Sequence, residues 1–118
     1  MPEEIVMVVE DEQEARDFLV QILEFEGFKA IGFANGAEAL AYLESSEQPC
    51  LIILDIRMPV MSGPEFREVQ QQNPKWSAIP VVVVTAFEPS AAIGLSPLRI
   101  FRKPFDVRAL VEVIRANC

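Results

Sequence analysis

The sequence predicts an α/β fold built on one five-stranded parallel sheet. Three observations predict it. Short aliphatic runs recur at residues 4–9, 51–54 and 79–84, each too short for a helix and bounded by turn or breaker residues. Between and after them the apolar spacing changes from continuous to helical, as in Ala15, Phe18, Leu19 and Ile22. Strands alternating with helices imply parallel pairing with helices on both faces.

Taken in order, the run Glu4-Ile5-Val6-Met7-Val8-Val9 reads as the first strand and ends in Glu10-Asp11-Glu12. The first helix carries Ala15, Phe18, Leu19 and Ile22 on its expected buried face, and Gly27 stops it. Residues 28–33 make a second, more polar strand, expected nearer an edge. Asn35 with Glu38 has the form of an N-cap, opening a second helix with Ala39, Leu40 and Leu43 on its apolar face. Pro49 breaks the chain before the third strand, Leu51-Ile52-Ile53-Leu54, which runs directly into Asp55.

Ser62-Gly63-Pro64-Glu65 is another capping pattern, with proline tolerated in the first turn. Its helix should bury Phe66 and Val69 and fade in the polar run from Gln70 to Asn73. Residues 79–84 form the fourth strand, with Thr85 at its end. Residues 88–97 hold two prolines and a glycine, so the helix expected before strand 5 is shortened or irregular. Leu98 to Phe101 supplies a short fifth strand, then Arg102-Lys103-Pro104. Asp106 caps a last helix with Val107, Leu110, Val111 and Ile114 on one face. Strands 1, 3 and 4 are the most apolar and so central. The order 2-1-3-4-5 meets that requirement and defines a flavodoxin-like doubly wound sheet.

Composition narrows the function. The chain has 118 residues, of which 51% are apolar, enough for a single domain spanning 1–118 with its own core. The net charge of −8 argues against a nucleic-acid partner, because phosphate contacts need clustered Lys and Arg. No run of about 18 apolar residues suggests a membrane span. The acidic start Met1-Pro2-Glu3-Glu4 lacks a signal peptide's basic region, which favours the cytoplasm. There is no histidine, so zinc sites and histidine-based catalysis are disfavoured. Cys50 reads as a small core hydrophobe and Cys118 as an exposed terminal thiol, with no metal-binding spacing between them.

In a doubly wound sheet, ligands bind beyond the carboxyl ends of the strands, at the switch between strands 1 and 3. Those ends offer Glu10, Asp11, Asp55, Thr85 and Lys103. Read singly, each has an ordinary explanation. Glu10 and Asp11 suit a helix's first turn, Asp55 a turn or cap, Thr85 a strand, and Lys103 a solvated surface. Their convergence on one edge is harder to explain that way. Clustered carboxylates repel unless a cation joins them, and a hard oxygen site with few protein ligands suits Mg²⁺. A carboxylate is also a competent nucleophile toward phosphorus. An ammonium and a hydroxyl would then face the oxygens of a transferring phosphoryl group.

At these positions the chain resembles the receiver (REC) domain of two-component response regulators. The resemblance rests on Val9-Glu10-Asp11, on Leu54-Asp55-Ile56-Arg57-Met58-Pro59 with Gly63, on Thr85-Ala86, and on Lys103-Pro104-Phe105. It spans essentially the whole chain. It implies that Asp55 is the phosphoacceptor, and that Asp11, Glu10, Asp55 and the backbone carbonyl of Arg57 hold Mg²⁺. It implies that Lys103 pairs with the acceptor carboxylate or its phosphate, and that Thr85 turns toward the phosphoryl group. The phosphodonor implied is a phosphohistidine on a sensor histidine kinase or a histidine phosphotransfer protein. The output is contact with a downstream protein, and the chain catalyses only its own modification. A homodimer through the last helix is left open, as is whether the domain stands alone or is part of a longer protein.

Two features depart from that family. The segment from Thr85 to Lys103 is short. Ile100 occupies the position three before Lys103, where the family carries its switch aromatic, and Phe101 falls one place later, on the opposite strand face. Arg57 and Phe87 flank the expected pocket and are bulky enough to hinder attacking water. Three other readings compete: a pseudo-receiver with phosphate-independent output, a small Mg²⁺-dependent phosphohydrolase using Asp55, and a flavin-binding flavodoxin. The last two lack, respectively, a further acid or base beside the nucleophile and a phosphate loop after strand 1.

Overall fold

In a computed structural model of the chain, the described residues are 4–45, 48–56, 58, 60–86 and 94–118. Five strands, β1 (Ile5–Val9), β2 (Lys29–Phe33), β3 (Leu51–Leu54), β4 (Val81–Thr85) and β5 (Arg99–Arg102), form one parallel sheet in the order β2-β1-β3-β4-β5. Among the described residues four helices connect or follow them: α1 (Gln13–Phe25), α2 (Gly36–Ser45), α3 (Gly63–Gln72) and α4 (Val107–Asn117).

Strand alternation divides the core into two layers. Met7, Val9, Ile52, Leu54, Val81 and Val83 face one way and meet Ala39 and Leu43 of α2 and Phe66 of α3. Val6, Val8, Leu51, Ile53, Val82, Val84 and Phe101 face the other way and meet Leu19 and Leu23 of α1 and Leu110 and Ile114 of α4. Because β1, β3 and β4 are covered on both faces, they are aliphatic throughout, whereas β2 lies at an edge and is only partly buried.

The expected caps are present. The Asn35 side chain accepts the Glu38 backbone N–H at 3.0 Å. Ser62 and Glu65 form a reciprocal capping box, and the Asp106 carboxylate accepts the Arg108 N–H at 2.9 Å.

Three expectations are corrected. The buried stripe of α1 is centred on Leu19 and Leu23, so Phe18 faces outward with 53% of its surface exposed. On α3 the buried residues after Phe66 are Arg67 and Gln70, not Val69. They serve a polar network. Arg67 donates Nε–H to the Leu95 carbonyl at 2.8 Å, a second N–H to the Ser96 carbonyl at 3.1 Å and a third to the Gln70 side chain at 2.7 Å. Gln70 in turn donates to the carbonyls of Trp76 and Ile79. Buried polar groups must be satisfied, and here they fasten the approach to β5 onto α3. Most of the expected irregular helix lies outside the described residues, which resume at Gly94.

The third correction concerns the cysteines. Cys50 and Cys118 form a disulfide, with Cα atoms 5.4 Å apart and a sequence separation of 68. Cys50 enters β3, and Cys118 follows the last turn of α4, which the fold lays over the same sheet face. Sequence distance hid what the βα wrapping brings together.

Candidate functional site

The site lies where β1, β3, β4 and β5 leave the sheet. Sheet pairing carries through to its residues: the Asp55 N–H donates to the Val9 carbonyl at 3.0 Å, and the Glu10 N–H to the Phe33 carbonyl at 3.0 Å. On the other side, the Lys103 N–H donates to the Thr85 carbonyl at 2.7 Å. The register of the parallel strands therefore aligns all five candidate residues on one edge.

Glu10, Asp11 and Asp55 each present a carboxylate oxygen, and these oxygens lie within 4.8 Å of one another. Glu10 and Asp55 are buried and Asp11 is at the exposed rim. Backbone groups position each acid. Asp55 accepts the Ile56 N–H at 2.8 Å, and Glu10 accepts the Glu12 N–H at 3.2 Å. Arg16 of α1 donates to the carbonyl of Glu10 at 2.8 Å, and so pins the backbone rather than neutralising the acids. Gly63 opens α3 by donating its N–H to the Ile56 carbonyl at 2.8 Å. A Cβ on Gly63 would run into the carbonyl oxygen of Asp55, so only glycine lets α3 approach the end of β3 this closely.

The electrostatics follow from crowding. Burial, and then the charge of Glu10, push the Asp55 carboxyl up to about 7. Burial also pulls Glu10 upward, but the hydrogen bonds from Lys103, Asp55 and the Glu12 N–H, with the Lys103 charge, together outweigh it and hold Glu10 below its ordinary value. Lys103 shows the complement: burial opposes its charge, and Glu10 more than restores it, so the ammonium is held above its usual range. Partial desolvation and the neighbouring Glu10 raise Asp11. The resulting ion pair is Lys103 with Glu10. The expected partner, Asp55, is the acid that keeps its proton most readily, so the ammonium goes to the charged neighbour.

A cluster of carboxylates that raises the affinity of one member for a proton is equally suited to a hard cation. All donors are oxygens, few in number and open toward Asp11, which fits Mg²⁺. Arg57, the expected source of a backbone carbonyl, and Phe87 lie outside the described residues. Thr85 is fully buried at the end of β4. Met58 and Met61 pack against the α2–α3 layer, and Phe105 against the α1–α4 layer, as packing residues.

Ile100 packs against the α2–α3 layer, while Phe101 is buried in the opposite layer with its ring 6.0 Å from that of Phe105. Phe101 is therefore a core residue on the face away from Ile100 and does not replace the expected aromatic.

The Response regulator receiver domain family matches residues 6–115. The chain belongs to this family. Among curated relatives, it is 34% identical to the response regulator receiver protein CpdR of Brucella abortus, covering 92% of each chain. It is 35% identical to the sensory transduction protein RegX3 of Mycolicibacterium smegmatis, of which it spans 49%. A response regulator receiver protein from Pseudomonas putida superposes with a TM-score of 0.90 at 26% identity over 98% of both chains. The response regulator TrrA of Thermotoga maritima, solved in complex with Mg²⁺ and BeF, gives 0.85 at 28% identity, with 98% of this chain and 99% of that one covered. The family is one of signalling modules, and this member is built on the doubly wound sheet that the sequence predicts. Among the described residues, no helix is long and apolar enough to cross a membrane.

Proposed function

We propose that this receiver takes a phosphoryl group onto Asp55 from a phosphohistidine of a sensor histidine kinase or a histidine phosphotransfer protein, and that the modified domain changes a protein–protein contact. The observation that carries this reading is the grouping of Glu10, Asp11 and Asp55 beside Lys103, with Asp55 alone raised to about 7. The complex of the structurally similar TrrA with Mg²⁺ and BeF supports the Mg²⁺ part of this reading.

Each residue has a defined task. An Asp55 carboxylate oxygen forms the new bond to phosphorus as the donor's N–P bond breaks, and the nitrogen keeps that bond's electron pair. Glu10, Asp11 and Asp55, with the Arg57 carbonyl, would hold Mg²⁺, which neutralises charge on the carboxylates and on phosphoryl oxygens. Lys103 exchanges its Glu10 partner for a phosphoryl oxygen, and Thr85 donates its hydroxyl hydrogen to another. Gly63 and the Ile56 amide keep Asp55 pointed at the opening.

A second reading has one observation in its favour. With Ile100 in the switch position and Phe101 on the far face, a pseudo-receiver would keep the fold and signal without phosphate. Intact mass after incubation with phosphoramidate and Mg²⁺ separates the two. The proposal expects one added phosphoryl group on the native chain, none on Asp55→Asn and none after chelation of the metal. An unmodified native chain with Mg²⁺ bound would favour the pseudo-receiver.

A further inference from the structure

We infer that Cys50 and Cys118 form a reversible thiol–disulfide pair that exchanges with low-molecular-weight thiols and fixes the C-terminal turns of α4 to the sheet. The inference is independent of the phosphoacceptor reading, because the pair lies at the opposite pole from Asp55: Cys50 enters β3 and Asp55 leaves it.

The surroundings of the pair accommodate both redox states. Both cysteines are only partly buried, as exchange with a small thiol requires. In the disulfide the Cys50 Sγ lies 3.4 Å from the Ile5 carbonyl oxygen, which would be within reach of an S–H once the bond is reduced. The Cys50 backbone N–H is separately bound to the same carbonyl at 2.9 Å, so the strand entry does not depend on the cross-link.

The last turn of α4 is held differently. Arg115 anchors the turn before it, donating to the Glu26 carboxylate at 2.8 Å and lying over the Phe28 ring at 5.2 Å. Beyond Arg115, Cys118 has its own helical N–H bond to Ile114 and the disulfide. Reduction therefore removes the cross-link from the end of α4 while Arg115 and the buried Leu110 and Ile114 keep the helix on the sheet. The expected consequence is local fraying rather than unfolding.

The chemistry balances by thiol–disulfide exchange. One thiolate attacks a sulfur of the disulfide and a mixed disulfide forms. A second thiol then releases the other product, so that two reduced thiols become one small disulfide as Cys50 and Cys118 become thiols. The reverse reaction consumes a small disulfide such as oxidised glutathione.

The test uses the full chain in oxidised and in reduced glutathione buffers, with alkylation, intact mass and amide hydrogen exchange. The inference expects no alkylated cysteine in the first buffer, two in the second, and interconversion when the buffers are swapped. Amides of residues 116–118 should exchange at least about 10-fold faster in the reduced protein. Cys118→Ser should exchange at the fast rate in both buffers. Free thiols persisting in oxidised glutathione, cross-linked dimers in place of the internal bond, or equal exchange in both states would each overturn the inference.

Discussion

Lys103 donates its ammonium to Glu10 and not to Asp55. That choice orders the whole site. Glu10 is held below its ordinary value, and burial together with the charge of Glu10 pushes the Asp55 carboxyl up to about 7. Asp55 is the least satisfied acid of the cluster, which makes it the one most responsive to an added cation.

Stability should follow this arrangement in a defined direction. With Mg²⁺ chelated, Asp55 binds its proton more tightly in the folded chain than in the unfolded one, whose carboxyl titrates near 3.8. Its contribution to stability is therefore full below that value and is lost as pH rises to about 7. Asp55→Asn should remove this slope and stabilise the metal-free protein above pH 7 by on the order of 2–4 kcal/mol. Urea unfolding across that window, with and without Mg²⁺, is the measurement. An unchanged slope in the variant would contradict the assignment.

The glycines at the site should respond unequally. A Cβ at Gly63 would meet the backbone of Asp55 and Ile56, which cannot turn aside. A Cβ at Gly36 would first meet the Met61 side chain at 2.9 Å, whose flexible thioether can move. Gly63→Ala is expected to cost about 2 kcal/mol and slow Asp55 modification, and Gly36→Ala about 1 kcal/mol or less with modification unchanged. Equal behaviour of the two variants would mean that the α3 approach does not position the acceptor.

Adjacent residues on β5 should also separate. Phe101 is 6% exposed in the α1–α4 layer, so Phe101→Ala should destabilise by about 3 kcal/mol. Ile100 is only partly buried and Ile100→Ala should cost about 1–2 kcal/mol. Denaturant midpoints measure both, and a larger effect at Ile100 would contradict the side-chain directions.

Val60 holds a left-handed backbone, φ 68°, with 80% of its surface exposed. A β-branched residue is strained there, and asparagine adopts the same backbone more readily. Val60→Asn should raise stability by about 1 kcal/mol, read as a higher urea midpoint at constant slope.

Much of this molecule was legible in its sequence, for physical reasons. Aliphatic runs such as Val81–Val84 can only be strands covered on both faces, and that placed β1, β3 and β4 centrally. Capping chemistry located the starts of α2, α3 and α4, because Asn35, Ser62 and Asp106 act on neighbours a few residues away. Strand ends then gathered Glu10, Asp11, Asp55, Thr85 and Lys103. What pattern reading missed depends on tertiary packing. Phe18 is apolar yet faces outward, and Gln70 is polar yet fully buried because Trp76 and Ile79 offer it carbonyls. The Cys50–Cys118 bond joins residues whose proximity only the completed α4 creates. The preference of Lys103 for Glu10 is likewise a matter of which acid is charged, and residue types alone do not tell.

The central claim is that Asp55 itself receives the phosphoryl group. The direct test is to incubate the chain with phosphoramidate and Mg²⁺, reduce the acyl phosphate with borohydride and sequence the peptides by mass spectrometry. Homoserine at position 55, and at no other acidic position, is the result this account predicts. Homoserine at Asp11, 5-hydroxynorvaline at Glu10 or Glu12, or no reduced acid at all in a chain shown to bind Mg²⁺, would contradict it.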